Sequence, residues 1–236
     1  YAVFGIGIIV FTVLFAVLNK DWSSKEAAVD PWSWGAFFKG FWVNPKKFPD
    51  FFWAFTARFL LMLGYFTIAS YQFYLLTDYI KVPLEEAAGA VLTLTIVGFV
   101  PTLIAIALSG WWSDKIKRRK VFIYVASAVM LVGFTFPIFM PNMTGMIIMT
   151  IINGVGFGIY MSVDTALMTE VLPGGGEAAG KDLGILNIAT NIPQALSPVV
   201  AALVILVLGG YSMLFVFAMI FVVIAAFAVA PIKAVR

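Results

Sequence analysis

Arg58 and Asp164 stand inside long apolar stretches of this 236-residue chain. A charged side chain in hydrocarbon is costly, so it faces another polar group or a water-filled space, and such positions mark where protons or solutes are handled. Each has polar company at helical spacing. Thr67, Tyr71, Tyr74 and Asp78 follow steps of four, three and four, while Arg58, Tyr65 and Gln72 recur every seven on an adjacent face. Asn153, Gly156, Tyr160 and Asp164 share one side of a later segment, and Asn187, Asn191 and Gln194 share one side of the next. Arg58 and Asp164 fall at similar distances from the same ends of oppositely running segments. They are expected to form an ion pair or short polar network, each relieving the other's desolvation. The alternative is that each reaches water or headgroups at the interface.

The segments that must position these residues are membrane spans. Hydrophobic residues make up 62% of the chain and charged ones 11%, with a mean hydropathy of +1.02, far from the balance of soluble domains. Apolar runs of spanning length, roughly 20 residues, occur near 1–18, 51–79, 87–109, 121–139, 143–169, 184–208 and 211–232. The expected fold is therefore an all-α membrane protein with about seven transmembrane helices. A β-barrel is disfavoured, because the runs are continuous rather than alternating. The basic block Lys115, Lys117, Arg118, Arg119 and Lys120 assigns loop 110–120 to the cytoplasmic side. Segments 19–50 and 170–183 and the C-terminus then lie inside as well, carrying Lys20, Lys25, Lys39, Lys46, Lys47, Lys181, Lys233 and Arg236. Only Lys81 falls outside.

Composition also narrows the chemistry. With no Cys there is no disulfide, thiolate or Cys-ligated metal, and with no His the commonest proton shuttle and metal ligand is missing. No Ser-His-Asp set, zinc spacing or Walker pattern occurs, so neither enzymatic activity nor a cofactor is expected. The net charge of +3 comes from residues at the ends of apolar runs, which suits headgroups and loop topology rather than nucleic acid. Gly154, Gly156 and Gly158 lie inside a span with no strand before them, so they point to close helix packing rather than a dinucleotide loop. Gly174, Gly175 and Gly176 suggest a flexible loop. Between Asp21 and Asp50, Asp30 can cap a helix beginning at Pro31, with Trp34, Phe37, Phe38, Phe41 and Trp42 on one face. That describes an interfacial helix, or else an aromatic belt ahead of the next span.

Gly110, Asp114, Lys115, Arg118 and Arg119 resemble the loop signature of the major facilitator superfamily, Gly-x-x-x-Asp-Arg/Lys-x-Gly-Arg-Arg, with Lys117 where the second Gly stands. The stretch from Gly180 through Asn187 and Asn191 to Gln194 is similar to the segment before the penultimate helix of glycoside and sucrose proton symporters. Leu76-Thr77-Asp78-Tyr79 weakly resembles the Asp-Thr-Asp-Trp of the same group, without its first Asp. The resemblance implies a transmembrane helix of an N-terminal half at 1–19, a cytoplasmic central loop with an interfacial helix at 20–50, and a C-terminal six-helix transporter domain at 51–236. It implies too that an N-terminal six-helix half is missing. Its latch residues would be Gly110, Asp114, Arg118 and Glu170, with Asp114 at the start of the helix near Gly184 and Arg118 meeting Glu170.

The activity so implied is secondary transport by alternating access in the cell membrane, most simply sugar or glycoside symport with protons. Tyr71, Gln72, Tyr74, Asn153, Tyr160 and Asn191 are the expected substrate contacts, since aromatic rings and amides suit the faces and hydroxyls of a sugar. Asp164 is the candidate protonation site, although pairing with Arg58 would favour its ionised form. The expected partners are a small-molecule substrate, a coupling proton, membrane lipid and the missing half. Two rivals stay open: an efflux antiporter of lipophilic compounds, suited by the abundance of Phe, Met and Trp, and a non-transporting membrane scaffold.

Overall fold

The computed structural model describes residues 2–19, 33–35, 43–172 and 179–235. Most of the expected interfacial helix, and the run Gly174, Gly175 and Gly176, lie outside the described residues. Tyr1–Lys39 and Gly40–Arg236 form two compact units. The first carries helix α1 (Ala2–Leu18), whose Phe4, Ile8, Phe11 and Phe15 are all exposed. A helix apolar on every side is one that lipid or other helices cover.

Among its described residues the second unit holds six long helices: α2 (Pro49–Ser70), α3 (Leu84–Ile116), α4 (Arg119–Phe139), α5 (Met143–Glu170), α6 (Ala179–Leu208) and α7 (Ser212–Val229). Each is long and apolar enough to cross a bilayer, whereas α1 is shorter. No strand occurs among the described residues.

Local chemistry explains where these helices start and stop. Pro49 opens α2, where its missing N–H costs nothing. Asn142 caps α5 by accepting the Gly145 N–H at 2.9 Å. The turn between α3 and α4 is shorter than the expected loop 110–120, because 111–116 contains neither Gly nor Pro and stays helical. Only Lys117 and Arg118 separate the two helices. Lys117 makes the turn in the left-handed region (φ 54°), returning its N–H to the Ser113 carbonyl at 2.9 Å. Glycine adopts that geometry more easily, and Lys117 is the residue standing in the signature's glycine place.

The expected continuous span 51–79 is interrupted. After Ser70 the helix turns at Tyr71, resumes over Gln72–Tyr74 and ends in the wider π-helical turn Leu75–Tyr79. The Tyr79 hydroxyl donates to the Pro137 carbonyl at 2.9 Å. That carbonyl would otherwise look to the N–H four residues on, and residue 141 is a proline without one.

Packing sorts the six helices into two groups of three. In one, α5 packs along both α3 and α4; in the other, α2 packs along α6 and α7, and α4 against α7 joins the groups. Between helices in lipid, association rests on close contact, so small residues matter. A Cβ at Gly154 would stand 2.8 Å from the Gly98 carbonyl oxygen of α3, and one at Gly158 would stand 2.5 Å from that of Thr102. On the other side of α5, a Cβ at Gly156 would meet Met130 of α4 at 2.6 Å. The glycine run thus seats α5 between its two neighbours.

Candidate functional site

The central helices α2 and α5 run antiparallel and bring their charged residues together. Arg58 Nη1 lies 3.3 Å from Asp164 Oδ2, with side chains 12% and 4% exposed. The Arg58 Nε–H also donates to Thr190 Oγ1 of α6 at 3.0 Å. The Tyr160 hydroxyl, one turn back along α5, donates to Asp164 Oδ1 at 2.9 Å. Three helices are therefore tied by one buried carboxylate and one guanidinium. Asp164 Oδ1 is occupied by a hydrogen bond, whereas Oδ2 is held by charge alone and has no hydrogen-bond donor among the described residues.

Beyond this network, away from the basic turn, lies a cavity of about 300 Å³ between α2, α3, α4 and α5. The polar residues on its wall are Tyr65, Gln72, Thr95, Thr102, Thr150 and Asn153, and its apolar wall includes Leu94, Phe99, Phe134, Met146 and Met149. Asn153 is 5% exposed, and neither end of its amide has a hydrogen-bond partner. A buried, unpaired amide at a cavity wall is a group waiting for a partner. Between the cavity and the ion pair, Tyr65 of α2 and Phe157 of α5 stack face to face, ring centres 4.1 Å apart. In each helix the stack stands about two turns, roughly 10 Å, from the charged residue.

The residues expected to touch substrate do not all gather there. Gln72 and Asn153 line the cavity. Tyr71 and Tyr74 do not: the turn at Tyr71 breaks the helical register, and their rings lie against each other, centres 5.3 Å apart. Tyr160 is fully buried and committed to Asp164, so it belongs to the polar network instead. Asn191 lies on an exposed face of α6 with Asn187 and Gln194. Thr190, beside Asn191, is the α6 residue that reaches the network, and sequence spacing offered little to distinguish it.

At the basic turn, the arginine that meets Glu170 is Arg119 rather than Arg118. Arg119 Nη2 stands 2.8 Å from Glu170 Oε1 and 3.6 Å from Asp114 Oδ1. The left-handed Lys117 and non-helical Arg118 (φ −125°, ψ 68°) explain the shift. They send Arg118 to the outer surface of α3 and α4 and leave Arg119, the first residue of α4, beside the end of α5. The helix expected to start near Gly184 is already helical at Ala179. Gly110 has a packing role, because a Cβ there would stand 2.7 Å from Ser162 Oγ of α5. The same end is fastened by Lys120 Nζ, which donates to the carbonyls of Ala230 and Ile232, and by Asp50 Oδ2, which accepts the Ala234 N–H at 2.7 Å.

At the opposite end, the Tyr211 hydroxyl donates to Asp78 Oδ2 at 2.7 Å, fastening the end of the α2 segment to the start of α7. This bond to a carboxylate, with desolvation behind it, pushes the Tyr211 hydroxyl up to about 12.

Residues 54–235, most of the chain, match the family model described as Major Facilitator Superfamily. No curated protein matches the chain. The chain belongs to the major facilitator superfamily, and the activity class that this membership supports is secondary transport across a membrane.

Proposed function

We propose that this major facilitator chain moves a sugar or glycoside together with a proton by alternating access. The observation that carries the reading is the buried Arg58–Asp164 pair, set about two turns from a cavity with an unpaired amide. Gln72 and Asn153 bind hydroxyls of the solute, and the Tyr65–Phe157 stack separates the solute from the charges. A proton arriving at Asp164 Oδ2 cancels the attraction that holds Arg58, while Tyr160 keeps its bond to Oδ1. Arg58 then retains only Thr190, and α2 is freed to move against α5. At the basic end, taken as cytoplasmic from its charges, Arg119, Asp114 and Glu170 latch one of the two states.

The chain in this reading supplies a six-helix half whose exposed Asn187, Asn191 and Gln194 face a second six-helix half across the translocation path. Uptake of labelled mono- and disaccharides into proteoliposomes carrying the complete transporter tests it. Saturable uptake that collapses with the proton gradient supports symport, and its absence across the panel overturns it.

The apolar share of the cavity wall favours a second reading, proton-driven efflux of lipophilic compounds. Lowered accumulation of lipophilic dyes, without sugar uptake, would select it.

A further inference from the structure

A second concavity, of about 500 Å³, opens on the outer surface of the bundle between α3 and α4. Leu108, Trp112, Val121, Phe122 and Val125 line it, and Arg118 stands at its end beside the basic turn. No acidic residue contributes to its wall. From Ala105 to Ile116 it follows α3 for about 16 Å, close to half the roughly 30 Å hydrocarbon thickness of a bilayer. Its length is therefore that of one leaflet, with the charged end at headgroup depth.

The charges there are sorted. Arg119 takes both nearby carboxylates, Asp114 and Glu170, and Lys115 lies over the Trp111 ring with 5.1 Å to its centre. The Arg118 side chain has neither ion pair nor hydrogen bond among the described residues, and it is exposed. An apolar channel of leaflet length that ends in an unpaired guanidinium matches an acyl chain carrying an anionic headgroup.

We propose that this groove is a binding site for an anionic phospholipid of the leaflet on the basic side, with one acyl chain along α3 and α4 and the phosphate against Arg118. None of the residues assigned to transport takes part, and the site depends only on the bundle's place in a bilayer.

Native mass spectrometry of the full chain, titrated with phosphatidylglycerol or with phosphatidylcholine of the same acyl chains, tests the site. Phosphatidylglycerol should be retained about fivefold more tightly, as expected for one basic residue acting on an anionic headgroup. Arg118→Gln should bring it down to the phosphatidylcholine level. Val125→Trp, which fills the groove, should weaken both lipids, and Lys81→Gln at the opposite end should change neither. Equal retention of the two lipids by the wild type, or unchanged phosphatidylglycerol binding in Arg118→Gln, would overturn the proposal. So would unchanged binding of both lipids in Val125→Trp.

Discussion

Arg58 and Asp164 face each other at 3.3 Å from the two central helices of the bundle, each the neighbour the other requires. Removing one partner of a buried pair leaves a charge without compensation, at a cost of about 3–5 kcal/mol. Arg58→Gln and Asp164→Asn should each lower the unfolding midpoint strongly, while the double variant should lose much less than their sum. The exchange of Arg58→Asp with Asp164→Arg should recover part of the loss. A thermodynamic cycle from unfolding in mixed micelles checks this, and additive losses would remove the pair from the account.

The latch gives a contrast between neighbours. Arg119 is 18% exposed and serves two carboxylates, and Glu170 is 41% exposed, so its loss should cost about 1 kcal/mol, at the upper end for surface pairs. Arg119→Gln should therefore lower stability measurably, and Arg118→Gln should leave it within error. Thermal unfolding of the two variants side by side separates them, and an equal loss from both would contradict the assignment.

Much of this arrangement could be read from residue order, and the remainder could not for physical reasons. The spans follow from apolar length, and the packing role of Gly154, Gly156 and Gly158 follows from their place inside one of them. The charged positions on α2 and α5 stood out because charge in an apolar run is rare. Tyr71 and Tyr74 stand away from the cavity wall: spacing assumes an unbroken helix, and the turn at Tyr71 with the π-helical segment after it has no strong sequence mark. Thr190 was missed because a threonine in a span usually bonds its own helix backbone, as Thr67 does to Leu63. The shift from Arg118 to Arg119 depends on the backbone at Arg118 and at Lys117 before it, and the only sequence mark of the left-handed φ of 54° is that Lys117 stands in the signature's glycine place.

Lys117 supplies its own test. A left-handed conformation costs an L-residue roughly 1–2 kcal/mol that glycine avoids, partly offset by glycine's greater freedom when unfolded. Lys117→Gly should raise stability by about 1 kcal/mol and leave the α3–α4 turn unchanged. A lower unfolding midpoint would mean that the turn is not left-handed.

The fastening at the opposite end should respond to alkali. With Tyr211 pushed up to about 12 from an ordinary 10.0, its folded-state value lies above its unfolded one. Its contribution is present in full below about pH 10 and is lost as the pH climbs towards about 12. Tyr211→Phe should thus be less stable than wild type at neutral pH, with the difference shrinking over that window. A difference that stays constant to the top of the window would argue against the Asp78 bond.

Proton movement driven by the solute tests the coupling role of Asp164 most directly. In proteoliposomes of the complete transporter without an imposed gradient, adding the transported sugar should draw protons along with it, seen as alkalinisation of the weakly buffered medium. Asp164→Asn should abolish that signal while still exchanging labelled for unlabelled sugar across the membrane. A wild-type proton signal that survives intact in Asp164→Asn would place the coupling acid elsewhere.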